Sequence, residues 1–289
     1  MSQKQNHGPE NAAPGIHAPQ VVQPQASVHP QATVSPQAIV SPQAKLGSGA
    51  RVGAFAVVGA GVELGDGCVL HAHAVVQGPA KFGANNVFHS FCVIGGDPQD
   101  YTFSNEHVEL SVGEGNIFRE YVTISRGTKK GGGVTRIRDR NFFLSSSHIG
   151  HDCQVGSHTL FVNGATLAGH VTVQDYVTVG AFSPVHQFCR LGRYAYIGAC
   201  TVITQDVPPF SLVVTERETK TFGANTIGLE RKGFSPERIK ALQKAFKLLV
   251  RSRKNTSQAL QEIRETLGNS ADVQELIEFV EKAERGVVK

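Results

Sequence analysis

The strongest constraint on this chain is a six-residue beat of bulky apolar side chains. It starts at Ile16 and continues through Val22, Val28, Val34, Val40, Leu46, Val52, Val58, Leu64, Leu70, Val76, Phe82, Phe88 and Ile94. It returns at Val112, Phe118 and Ile124, slips by one residue across a glycine-rich stretch, and then runs without a break from Ile137 to Ile203. Only 40% of the 289 residues are apolar, so a beat this long is not an accident of composition. A fixed internal period decides the architecture before any other reading.

Period six suits neither an α-helix, at 3.6, nor a half-buried strand, at 2. It suits a short flat strand followed by a corner, repeated around a prism. Three hexads close one triangular coil, and coils stack at about 4.8 Å, the ordinary spacing of neighbouring strands. The beats then make about ten coils and a prism roughly 45–50 Å long. Four residues after a beat the side chain is usually small (Ala26, Ala32, Ala38, Ala44, Ala50, Ala56, Ala74, Ala80), which is expected to let the chain turn. The glycine directly after a beat (Gly47, Gly53, Gly59, Gly65, Gly83, Gly192, Gly198) is expected to supply the positive φ of a tight corner. One coil buries little alone, and nearest-neighbour stacking supplies the stability.

The rest of the chain divides around this prism. Residues 1–15 are polar and lack the apolar core of a signal peptide, and are read as a disordered lead-in. The prism is expected over 16–209, with an external loop at 98–111, where Asp100 and Glu106 take the sixth positions. Lys129 to Gly133 make a second, shorter excursion, and Pro208-Pro209 is expected to end the repeat. A connecting segment and helical domain fill 210–289. Ser235-Pro236-Glu237 is a helix start, and further helices are expected over 257–267 and 271–285. No apolar run reaches 18 residues, so no transmembrane helix is expected. Five cysteines without a CxxC pair suit the reduced thiols of a cytoplasmic protein. Net charge is +4, yet Leu229 to Lys254 holds nine basic residues against two acidic ones. That stretch is a solvated helix face or a docking surface for an acidic partner. Its only aromatics are Phe234 and Phe246, too few to argue for nucleic acid.

Chemistry concentrates where histidines do. His148, His151, His170 and His186 fall within three successive coils, because residues 18 apart stack on one face. Four imidazoles along one edge of a small-and-apolar surface point to function. Asp152 follows His151, and a carboxylate beside the ring can fix its tautomer, as a general base requires. Adjacent residues on a flat strand face opposite ways, so that contact needs a bend. Gly169, 18 residues after His151, offers an unobstructed N–H as an oxyanion donor. Cys153 is read as a small packing residue, and direct attack by a substrate hydroxyl is simpler than a covalent intermediate. No metal site and no cofactor are expected.

Longer motifs carry a resemblance. They are Gln99-Asp100, Arg126-Gly127-Thr128 with Gly131-Gly132-Gly133, His148-Ile149-Gly150-His151-Asp152-Cys153 and Ala165 to His170. Val185-His186-Gln187-Phe188, Gln205 to Pro209, and Gly228-Leu229 with Gly233-Phe234-Ser235 complete them. The beat resembles that of the hexapeptide-repeat acyltransferases, which are left-handed parallel β-helices. The motifs resemble the UDP-N-acetylglucosamine acyltransferase family, from about residue 40 to the C-terminal helices.

The resemblance implies an all-β solenoid with a C-terminal α-helical domain, assembled as a cytoplasmic homotrimer with sites between neighbouring prisms. It implies transfer of an (R)-3-hydroxyacyl group from acyl carrier protein to the 3-hydroxyl of UDP-N-acetylglucosamine, the first step of lipid A biosynthesis. His151 would be the base, Asp152 its orienting acid and Gly169 the oxyanion donor. Asp100, His148, His170, His186 and Gln187 would touch sugar or acyl chain, and Ala199 would measure the chain. Asn225, Arg231 and Lys232 would sit near the nucleotide phosphates, and the basic helix would meet acyl carrier protein.

The chain departs from the family pattern at Thr102, where a lysine is common, and at Ser125, Ile227 and 215–219. A 3-amino acceptor, a different transferase on the same fold, a zinc hydratase and a non-catalytic scaffold are the competing readings.

Overall fold

The computed structural model describes residues 26–104, 106–215, 221, 223–252, 254–283 and 287. The lead-in 1–15, the beats at Ile16 and Val22, and residues 216–219 lie outside them. The chain divides into two units, Met1–Thr215 and Glu216–Lys289.

The first unit is a left-handed parallel β-helix. Among the described residues its three parallel sheets hold nine, ten and eight strands, most of them two residues long. The beat sets the register. Leu46 pairs with Leu64 and Leu64 with Phe82 on the first face. Val52, Leu70 and Phe88 align on the second, and Val58, Val76 and Ile94 on the third. From Val40 to Ile203 every beat is buried. Phe88, Phe118, Phe143 and Phe161 stack inside the prism at 5.1, 5.2 and 5.0 Å between centroids. Asn86, Asn116 and Asn141 form a buried side-chain ladder at 3.0 Å per rung, so these amides are paired inside the prism. The small alanines face inward too: Ala38, Ala44, Ala50, Ala56, Ala74 and Ala80 are buried. Each hexad therefore contributes one large and one small side chain to the column.

The corners differ from the sequence expectation. Gly47, Gly53, Gly59, Gly65, Gly83, Gly192 and Gly198 are not the positive-φ residues. Most of them are required by closeness: a Cβ on Gly65 would stand 2.6 Å from the backbone of Gly83 in the next coil. Positive φ falls three residues after the beat, at Gly49, Gly61 and Gly67, and also at Phe55, His73, Phe91, Tyr121, Asp152, His170 and Phe188. A non-glycine residue there costs on the order of 1–2 kcal/mol. Coil-to-coil bonds offset it, as in His170 N–H to His151 O at 2.9 Å and Phe188 N–H to Gly169 O at 3.2 Å.

Two boundaries also move. The first excursion is shorter than 98–111, because Glu109–Val112 is already a strand, paired with Val134–Ile137. The repeat also continues past Pro208-Pro209. Val207 bridges to Leu191, and Leu212–Val213 pairs with Tyr196–Ile197. The prolines donate nothing, but Ser211 O and Val213 O accept from Tyr196 and Gly198, each at 2.8 Å, and extend the ladder.

The second unit holds α1 (Thr226–Arg231), α2 (Pro236–Arg251), α3 (Thr256–Leu267) and α4 (Ala271–Glu281). Ser235 caps α2 ahead of Pro236, and Asn255 with Gln258 closes a capping box on α3. Leu242, Ala245, Leu249, Leu260, Ile263, Val273 and Ile277 form its core. Arg238 ties α2 to Asp272 of α4 through two bonds of 2.8 and 2.7 Å. The short α1 has no apolar period and went unanticipated in the sequence.

Candidate active site

One corner of the prism collects the polar chemistry: the corner that follows the third face. Strand Val93–Gly96 is followed there by the first excursion, and strand Thr123–Ser125 by the second. Strand His148–Ile149 is followed by His151, Thr166–Leu167 by Gly169 and His170, and Pro184–Val185 by His186. Strand pairing stacks these five exits in successive coils.

At the centre, Asp152 has φ 61°, which supplies the bend the sequence reading required. The turn brings its Oδ2 to 2.8 Å from His151 Nδ1. Its side chain is 1% exposed and that of His151 15%. The carboxylate is held from behind: Thr128 donates its N–H to Oδ1 at 2.8 Å and its hydroxyl to Oδ2 at 2.7 Å. The Asp152 N–H in turn donates to Thr135 Oγ1 at 2.8 Å. Thr128 caps a 3₁₀ turn, Lys129–Gly131, and a Cβ on Gly131 would collide with the Asp152 carboxylate. Glycine is needed there to admit the acid. A buried carboxylate flanked by donors only accepts, so His151 Nδ1 carries the proton and Nε2 is left as the basic nitrogen.

Gly169 is required by the ring as well. A Cβ there would stand 2.6 Å from His151 Cε1 and 2.7 Å from Nε2. Among the described residues the Gly169 N–H has no acceptor. His170 packs edge-on to His151, centroids 5.1 Å apart, with Nε2 3.6 Å from Asp152 Oδ2, and stacks on Phe188 at 4.6 Å. His148, on the strand below the corner, meets Thr123 Oγ1 through Nδ1 at 2.8 Å. Burial pulls its pKa below the usual histidine value, and the neighbouring His151 pulls the same way. His186 and Gln187 are exposed one coil above His170, with His186 Nδ1 donating to Gln187 O at 3.1 Å. Burial pushes the Cys153 thiol up to about 12. It donates to Ala168 O at 3.1 Å, so Cys153 packs rather than attacks.

Asp100 lies on the first excursion. Thr102 donates to its Oδ1 twice, from N–H at 2.8 Å and from the hydroxyl at 3.0 Å. Those two bonds, the backbone one first, hold its carboxyl below the usual carboxylate range, and the charges of His151 and Lys130 add to this. Ala199 is not at this corner; it is exposed at the corner between the second and third faces. Asn225, Arg231 and Lys232 belong to the second unit: Asn225 caps α1 at Gly228 N–H, 3.2 Å, Arg231 ends that helix and Lys232 is its C-cap. Sequence reasoning assigned no role to Thr128, Thr135, Gly131 or Phe188. The first three belong to or adjoin an excursion where the beat gives no register. Phe188 was quoted in a motif, and its 18-residue offset from His170 was the available signal.

Comparison with known proteins fits this geometry. Residues 206–288 match the family model described as Udp N-acetylglucosamine O-acyltransferase, domain 2, and residues 43–78 match the bacterial transferase hexapeptide model of six repeats. The acyl-[acyl-carrier-protein]–UDP-N-acetylglucosamine O-acyltransferase of Xylella fastidiosa is 46% identical over 205 residues, 71% of this chain and 78% of that protein. The enzyme of the same name from Stenotrophomonas maltophilia is 43% identical over 207 residues, 72% of this chain and 79% of its own length. Among solved structures, the Arabidopsis UDP-N-acetylglucosamine acyltransferase superposes with a TM-score of 0.61 at 32% identity, covering 93% of this chain and all of that one. LpxA from Acinetobacter baumannii gives 0.57 at 33% identity, with the same coverage.

Proposed function

The chain belongs to the UDP-N-acetylglucosamine O-acyltransferase family, and from that premise we propose how its corner performs the transfer. The reaction moves an acyl group from acyl carrier protein to UDP-N-acetylglucosamine. In our reading the group is an (R)-3-hydroxyacyl chain, the acceptor is the sugar 3-hydroxyl, and the step opens lipid A biosynthesis.

The observation that carries this reading is the clamp Thr128–Asp152–His151 against Gly169. His151 Nε2 takes the proton of the sugar hydroxyl as its oxygen attacks the thioester carbonyl. The Gly169 N–H receives the oxyanion of the tetrahedral intermediate. Its collapse breaks the C–S bond, and the carrier thiolate recovers the proton from Nε2. The Asp152 carboxylate stabilises the imidazolium between the two proton transfers. Asp100, His148, His170, His186 and Gln187 take sugar or acyl chain, and Ala199 meets the acyl end. In the second unit Asn225, whose amide NH₂ is left over from capping, joins Arg231 and Lys232 at the nucleotide phosphates. Lys240, Lys244 and Lys247 are exposed along α2 and have no carboxylate partner among the described residues. They are the proposed seat of the acidic carrier protein. The working assembly is a cytoplasmic homotrimer.

A zinc hydratase would use His151, Asp152 and His170, whose donor atoms lie within 4.8 Å of one another. The Asp152 oxygens, however, already accept from Thr128 N–H, Thr128 Oγ1 and His151 Nδ1. Acyl transfer uses that arrangement intact, whereas a metal would have to dismantle it. The test is mass spectrometry of the product from UDP-N-acetylglucosamine and a panel of acyl carrier protein thioesters, with hydroxylamine treatment. An ester that hydroxylamine cleaves is expected. A product formed only with a 3-amino sugar nucleotide, and resistant to hydroxylamine, would replace O-acylation by N-acylation.

A further inference from the structure

The clamp on Asp152 has a counterpart on Asp100, built from the same turn. Lys130, two residues after Thr128, sends Nζ to Thr102 Oγ1 at 3.0 Å. An ammonium can only donate, so Thr102 Oγ1 accepts from it and its own proton is free for Asp100 Oδ1, 3.0 Å away. The Thr102 N–H fills the same oxygen at 2.8 Å. Asp100 Oδ2 receives no donor among the described residues. One oxygen of a half-buried loop carboxylate is thus fixed and the other left open. Within the first excursion Glu106 accepts from Ser104 N–H and Oγ at 2.9 Å each. The Lys130–Thr102 bond therefore joins the two excursions. Lys130 makes no other described bond, and no carboxylate pairs with it among the described residues.

We propose that Thr102 and Lys130 are positioning residues that hold Asp100 as a fixed hydrogen-bond acceptor for the sugar of the acceptor nucleotide. This rests on the functional reading above. The turn Lys129–Gly131 and its cap Thr128 then orient two acids at once: Asp152 behind the base through Thr128, and Asp100 beside the substrate through Lys130. The distance from the sugar's anchor to the basic nitrogen is set by one three-residue element.

The experiment is steady-state kinetics and thermal melting of Thr102→Val, Lys130→Met and Asp100→Asn, singly and combined, with Thr102→Ser and Lys130→Arg as conservative controls. Thr102→Val is expected to raise KM for UDP-N-acetylglucosamine on the order of tenfold, as loss of one bond to a charged group does. The KM for the carrier thioester should stay unchanged and kcat should move less. Thr102→Ser and Lys130→Arg are expected near wild type. In the Asp100→Asn background, Thr102→Val and Lys130→Met should add less than about twofold, because they act through the acid already removed. A wild-type KM in Thr102→Val, or a full multiplicative effect on Asp100→Asn, overturns the proposal. Should Thr102→Val melt early, the exposed Lys130→Met carries the same test. A wild-type protein that turns over no sugar nucleotide at all overturns the functional reading, and this inference with it. An active wild type with silent variants overturns the inference alone.

Discussion

Asp152 Oδ2 stands 2.8 Å from His151 Nδ1, although adjacent residues on a flat strand point apart. The left-handed corner at Asp152 makes the contact, and Thr128 holds both oxygens of the acid. We predict that Asp152→Asn lowers kcat about as far as His151→Ala does, on the order of 10²–10⁴-fold. An asparagine that keeps the Thr128 bond offers its NH₂ to Nδ1, which moves the ring proton to Nε2. Single-turnover rates with a saturating thioester check this. A near-normal rate in either variant would remove His151 as the base.

Gly169→Ala tests the other side of the ring. The new Cβ would fall 2.6 Å from His151 Cε1, so the imidazole must swing away. The expected outcome is a loss of at least about 10²-fold in kcat, typical of a displaced catalytic group, with the melting temperature little changed. Wild-type turnover would mean that the ring does not work from the position seen here.

Stability should carry a histidine signature. His148 is held neutral by burial first and the His151 charge second, and His89 by burial first and Arg119 second. Both have folded pKa values below the ordinary 6.5. As pH falls through 6.5 the unfolded chain takes up protons that the folded chain refuses, so stability drops. The melting temperature is expected to climb from pH 5 to about 6.5 and then level off. His148→Gln should shallow that climb, and His89→Gln should shallow it further. An unchanged slope in the double variant would contradict the assignment.

Charge reversal on α2 addresses the carrier protein. Lys240→Glu with Lys244→Glu is expected to raise KM for the carrier thioester, more strongly at low salt, while KM for the sugar nucleotide stays put. A salt-independent KM equal to wild type would remove α2 as the docking surface.

Much of this molecule was legible because one number governs it. Every side chain on the beat from Val40 to Ile203 is buried, and the 18-residue offset brought His151, Gly169, His170 and His186 to one corner. The corner chemistry was less legible. Glycine after the beat suggested positive φ, but those glycines serve close coil contact, and the left-handed residues include Asp152 and His170. Thr128 and Lys130 sit off the beat, so only three-dimensional folding connects them to Asp152 and Thr102. The six-residue α1 was hidden because its stability comes from the Asn225 cap and tertiary packing rather than from an apolar stripe.

Partners in the stack are usually 18 residues apart, yet Thr123 pairs with Val93 across 30 and with His148 across 25. The surplus of 30 − 18 = 12 and 25 − 18 = 7 residues is extruded at a corner without disturbing the rungs above and below. Length variation in those two loops is therefore decoupled from folding. Selection, or a designer, could lengthen or rewrite the first of them to accept a new sugar while the scaffold and the Thr128 clamp behind its base remain untouched.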